Sequence, residues 1–142
     1  MKNNKDILGS VLKTAQMGQT GIRSVLKQSP GMELEKALKD QLYEYDRIES
    51  EAIAIAQARG WKLKELSPAS KLMSDMMSRS MLFPDGSDSK IAAMMIQGNT
   101  RGLIKGLKNE HRHQNKDPRI AALSAKLLQC ENANIQQMKQ YL

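Results

Sequence analysis

Cysteine, proline and aromatic residues are all scarce in this chain of 142 residues, and each shortage closes off a class of answers. One cysteine, Cys130, forms no internal disulfide and offers none of the paired thiols a zinc ribbon requires. A reducing, cytoplasmic setting follows as the expectation. Five aromatic residues, Tyr43, Tyr45, Trp61, Phe83 and Tyr141, are too few to pack a core, whereas ten methionines supply flexible apolar bulk. The N-terminal stretch MKNNKDILGSVLKTAQ has no apolar run of signal-peptide length, and no segment is apolar for long enough to cross a bilayer. Phosphate-binding glycine loops and nucleophile elbows are missing as well, so nothing argues positively for an enzyme.

What is present is a helical pattern carrying a net charge of +7. Ser29-Pro30, Ser67-Pro68 and Asp117-Pro118 each place a capping oxygen before a proline, which is the chemistry of a helix start. The cluster Pro84-Asp85-Gly86-Ser87-Asp88 marks a fourth start. Apolar residues recur at steps of three and four between these marks, as in Leu8, Leu12, Ala15, Ile22 and Leu26. This spacing predicts four long amphipathic helices at about 4–28, 31–59, 88–114 and 118–142. A connection over 60–88 is predicted to hold a short helix at about 68–81 whose Met73, Met76, Met77 and Met81 cover the core or form a dimer surface. Apolar stripes on four such rods are satisfied only against one another, giving an all-α antiparallel four-helix bundle with a long crossover between the second and third helices.

Polar residues interrupt the stripes near mid-helix: Gln19, Gln41, Asn99, Glu131 and Asn134. Counting outward from Pro30 sets Gln19 level with Gln41, and Asn99 and Glu131 fall about halfway along their own helices. Two long hairpins, a long crossover and a polar mid-bundle layer together resemble the ferritin-like superfamily. That resemblance implies a di-iron or di-manganese centre, held by a Glu on each of two helices and Glu-x-x-His on each of the other two. Here the matching positions read Gln19, Gln41-x-x-Glu44, Asn99 and Glu131-x-x-Asn134, so only Glu131 keeps its type. Neutral amides hold divalent ions weakly, so the expectation is a degenerate member with no cofactor, in which a buried hydrogen-bonded layer has replaced the ligand set. Glu49, two turns beyond Gln41, is expected to stand about 12 Å from that layer.

Three functional readings follow. The first is a noncatalytic, bacterial-type structural or interaction protein, with a second copy of the chain or another protein as partner. The alternative is a metal-binding or oxidative-stress protein with an atypical iron or manganese site built from Glu131, Glu44 and Glu49. The third is weak nucleic-acid binding through Arg101, Lys105, Lys108 and Arg112, a basic stripe opposite the apolar face of the third helix. His111 and His113 project about 200° apart and are expected at a solvated helix end, and Cys130 is expected as an inert buried thiol. Gly18 and Gly102 are expected to admit close packing, while Gly9, Gly21, Gly98 and Gly106 have no evident place.

Overall fold

The computed structural model describes residues 1–65 and 87–142. Four helices account for nearly all of them: α1 (Asn4–Leu26), α2 (Met32–Ala58), α3 (Asp88–Arg112) and α4 (Pro118–Lys139). At 1.5 Å per residue they are about 33 to 40 Å long. The expected short helix at 68–81, with its four methionines, lies outside the described residues.

Local chemistry sets the helix starts. Asn3 and Asp6 form a reciprocal capping box at α1: the Asp6 amide donates to Asn3 Oδ1 at 2.8 Å and the Asn3 amide donates to Asp6 Oδ2 at 3.2 Å. Ser87 Oγ accepts from the Lys90 amide at α3, and Asp117 Oδ1 accepts from the Arg119 and Ile120 amides just before Pro118 at α4. The second start departs from expectation. Ser29 does not cap α2; it takes a left-handed conformation, φ 53°, to reverse the chain. Helix α2 begins beyond Pro30, with Gly31 as its capping residue, and the Gly31 amide donates across the bundle to Asp88 Oδ1 at 3.0 Å.

The helices pack as two antiparallel pairs, α1 with α2 and α3 with α4. Three cross-links fix their directions. The Lys2 amide donates to the Arg112 carbonyl, and the Gln114 amide to the Lys2 carbonyl, both at 2.9 Å, which joins the start of α1 to the end of α3. Arg59 pairs with Asp117 at 2.6 Å, joining the end of α2 to the start of α4. Gly31 and Asp88 join the starts of α2 and α3 at the opposite end. So α2 and α3 run in the same direction, and α2 ends at the end of the bundle where α3 also ends.

The core is aliphatic along α1 and α2, where Leu8, Leu12, Ile22, Leu38 and Ile48 are fully buried. Helix α3 behaves differently. Past Met95 its buried residues are Asn99 and Asn109, while Leu103 is half-buried and Ile104 and Leu107 are 49% and 43% exposed. Among the described residues, the stripe predicted through Ile96, Leu103 and Gly106 is therefore only partly covered. Among the described residues no helix is long and apolar enough to cross a membrane.

Candidate functional site

Tyr45 is the centre of the polar layer. Its helix-periodic position among aliphatic residues carries it into the middle of the bundle, 1% exposed, and a buried phenol needs partners for its hydroxyl. It finds three, on two other helices. The Tyr45 hydroxyl lies 2.9 Å from Glu131 Oε1 and 3.1 Å from Asn99 Oδ1, and it accepts from Asn134 Nδ2 at 3.4 Å. The sequence marks Tyr45 only as a stripe residue; the signal it offers is the one aromatic ring in an otherwise aliphatic face, one turn after Gln41.

All five residues expected in the layer are buried, but they do not form one network. Asn99, Glu131 and Asn134 share Tyr45. Gln41 Nε2 donates to Gln137 Oε1 at 2.8 Å, on a separate contact between α2 and α4. Gln19 Nε2 donates to Asp46 Oδ1 at 2.8 Å and to Glu49 Oε1 at 3.1 Å, and Gln16 Nε2 donates to Glu49 Oε2. Counting from Pro30 therefore misplaces Gln19 by about one turn. The hairpin reverses two residues later, around Met32, which sets Gln19 beside the segment from Asp46 to Glu49 and sets Gly18 against Tyr45. Glu49, expected to stand apart, is a direct partner of Gln19.

Glu131 has a distinctive electrostatic setting. Burial raises its carboxyl from 4.5 to about 7, and the hydrogen bond from Tyr45 pulls the other way. Burial also drives the Tyr45 phenol far above its ordinary value, helped by the Glu131 charge, so the phenol stays protonated. Tyr45 has one proton to give. With Glu131 protonated, the carboxyl O–H donates to the phenol oxygen and the phenol O–H donates to Asn99 Oδ1, so both contacts are satisfied. With Glu131 ionised, the phenol proton goes to the carboxylate and Asn99 Oδ1 loses its donor. The Asn99 orientation seen here is thus the one that suits a neutral Glu131. Among the described residues, Asn99 Nδ2 and Gln41 Oε1 are buried without a partner.

Two glycines make room for the cluster. A Cβ on Gly18 would lie 2.6 Å from the Tyr45 ring, and one on Gly102 would lie 3.0 Å from the Glu131 carboxyl group. Gly106 admits Leu128 in the same way, its Cβ position being 2.5 Å from the Leu128 Cδ2 atom. A mostly apolar cavity of about 420 Å³ opens beside the cluster, between α1 and α3. Met17, Met94 and Met95 wall it, Tyr45, Asn99 and Glu131 line its inner side, and Arg101 and Lys105 stand in its lining on α3.

The remaining candidates take no part in the tyrosine-centred hydrogen bonds. Arg101, Lys105, Lys108 and Arg112 are all exposed on α3. The Lys105 ammonium is held below its usual range by partial burial and by the nearby charges of Lys13 and Lys2. His113 is not solvated as expected: it is 8% exposed, because the link between Lys2 and Arg112 draws the chain end inward, and its Nε2–H donates to Asn4 Oδ1 at 2.6 Å. Burial, with Lys116 adding to it, pushes this imidazole below its usual range. Cys130 is half-buried rather than buried, at the edge of the core, and desolvation followed by Glu44 and Glu131 pushes its thiol up.

The donor set does not suit a pair of divalent cations. Glu131 is engaged with Tyr45, Glu44 with Arg47 and Glu49 with the two glutamines. Among the described residues no three His, Cys, Asp or Glu side chains come together to hold an ion. Compared with known families, curated proteins and solved structures, the chain has no match in any of the three. What is established is a four-helix all-α bundle of two antiparallel pairs.

Proposed function

We propose that this chain is a ferritin-like bundle of degenerate type, noncatalytic, in which a tyrosine-centred hydrogen-bonded cluster stands where metal-binding relatives hold their ions. The observation that carries this reading is the Tyr45 hydroxyl shared by Asn99, Glu131 and Asn134 in the middle of the bundle. The parallel course of α2 and α3, with the end of one and the start of the other at opposite ends, supports a ferritin-like topology over a simple up-and-down bundle. Amides and a carboxyl with a pKa of about 7 supply too little negative charge to offset two divalent cations. Such a layer fixes helix register, because slippage would strand buried polar groups at about 1 to 3 kcal/mol each.

The role left for the molecule is interaction, in the cytoplasm, through α3. Exposed Ile104 and Leu107 there lie among the basic residues, a mixture suited to a second copy of the chain or another protein. The deciding measurement is metal content after purification without chelator. Less than one equivalent of iron and manganese per chain is expected. Two equivalents, released by Glu131→Gln, would overturn the proposal in favour of the atypical metal site.

A further inference from the structure

The geometry points to a small-molecule site: the cavity between α1 and α3 binds a planar heteroaromatic compound with an anionic tail. Its ring occupies the glycine-walled slot, its hydrogen-bonding edge faces Asn99 and Glu131, and its tail lies at Lys105. The proposal rests on the reading that the polar layer holds no metal pair.

Four observations carry it. First, Asn99, 3% exposed and in the cavity wall, has an Nδ2 donor with no partner among the described residues, at the cost that accompanies any buried unpaired polar group. The Nδ2 atom itself is closed off in this structure, so a ligand acceptor would satisfy it after a small turn of the Asn99 side chain. Second, Glu131 reaches the same phenol as Asn99, so a carboxyl and an amide stand side by side. That pairing of acceptor and donor matches the edge of a ring lactam, which offers a carbonyl next to an N–H. Third, Gly21 and Gly98 have open space where a Cβ would be, on opposite walls of this cavity. Glycine in a helix is costly, and unlike Gly18 and Gly102 these two are not explained by a side chain among the described residues. Gly9 is equally open but lies outside the cavity wall, so openness counts only together with the unpaired amide. Smooth walls on two facing helices fit a flat ring, and the thioethers of Met17, Met94 and Met95 make favourable contacts with aromatic systems. Fourth, Lys105 stands in the cavity wall, and beyond its partial burial the charges of Lys13 and Lys2 lie near enough to hold its ammonium below the usual range, a like-charge repulsion that an anion would relieve. A volume of about 420 Å³ suits a ligand of mononucleotide size.

Titration calorimetry on the full chain tests this with flavin mononucleotide and guanosine monophosphate as probes, against decanoate and inorganic phosphate. At least one of the two nucleotides is expected to bind in the micromolar range, and phosphate alone is not. Lys105→Ala is expected to weaken that binding about tenfold, and to leave the corresponding nucleoside or riboflavin unaffected. Gly98→Leu fills the slot and is expected to abolish binding, with helical content checked by circular dichroism; Gly21→Ala, a smaller intrusion, is expected to weaken it. Failure of both nucleotides at millimolar concentration, tighter binding of decanoate, or full binding by both glycine variants would overturn the proposal. Metal content measured on the same sample separates the outcomes, since two bound ions defeat the earlier reading, whereas metal-free protein that ignores both nucleotides defeats this one alone.

Discussion

The bundle holds two polar clusters, one at its edge and one at its centre, and they solve the same problem in opposite ways. At the edge between α1 and α2, the amides of Gln16 and Gln19 donate to Asp46 and Glu49, carboxylates that keep contact with water. Arg23 adds a charge 3.8 Å from Asp46. Every donor there meets a charged acceptor that has not been fully desolvated. In the centre, Tyr45, Asn99, Glu131 and Asn134 are all buried, the carboxyl is pushed towards neutrality, and one amide donor is left unpaired among the described residues. Desolvation, more than the number of hydrogen bonds, sets the central cluster apart, raising the Glu131 carboxyl there.

Removing the hub of the central cluster is the harshest way to break this contrast. Tyr45→Ala is expected to cost about 3 to 5 kcal/mol, since it empties a large buried volume as well as the hydrogen bonds. Tyr45→Phe keeps the ring and isolates the polar part, about 1 to 3 kcal/mol, because Glu131 and Asn134 are left without this partner. Asp46→Asn at the edge is expected to change stability by less than about 1 kcal/mol, the range for an exposed pair. Urea unfolding of the three variants checks the order, and an edge substitution as damaging as Tyr45→Phe would erase the distinction between the clusters.

Titration sharpens it. The Glu131 carboxyl is raised in the folded chain, from 4.5 to about 7, so its contribution favours folding fully below about pH 4.5 and is lost as pH rises through about 7. The size of that loss is about 3 kcal/mol by pH 8. Glu131→Gln holds the site neutral at every pH, so the variant is expected to match the wild type near pH 5 and to exceed its stability at pH 8. Unfolding curves at the two pH values decide. Equal loss in wild type and variant would mean that another group carries the pH dependence.

Much of this was legible from residue spacing. The four helices, the antiparallel pairing and the burial of Gln19, Gln41, Asn99, Glu131 and Asn134 follow from strides of three and four, which report which face turns inward. Who meets whom across that core was not legible. A shift of two residues in the turn after α1, produced by a left-handed Ser29, moves Gln19 from the level of Gln41 to that of Asp46 and Glu49. Periodicity also treats Tyr45 as one more apolar position, because a hydroxyl does not alter the stripe. His113 escaped for a third reason: its burial depends on backbone hydrogen bonds between residues 2 and 112 to 114, a long-range contact with no local signature.

A small expected effect separates glycines that pack from glycines that do not. Gly18 and Gly98 both lie in helices and in the wall of the same cavity, and both sacrifice helix propensity. A methyl group on Gly18 would strike the Tyr45 ring at 2.6 Å, and that ring is held in place by its hydroxyl partners and cannot swing aside without breaking them. Gly18→Ala is therefore expected to destabilise the bundle despite the gain in propensity. A methyl group on Gly98 meets nothing within 4 Å, so Gly98→Ala is expected to stabilise by about 1 kcal/mol. Thermal melts of the two variants check the signs. Were both to stabilise, the Tyr45 ring would have room to move and the central cluster would be looser than its hydrogen bonds imply; were both to destabilise, the slot beside Gly98 would already be closed in solution.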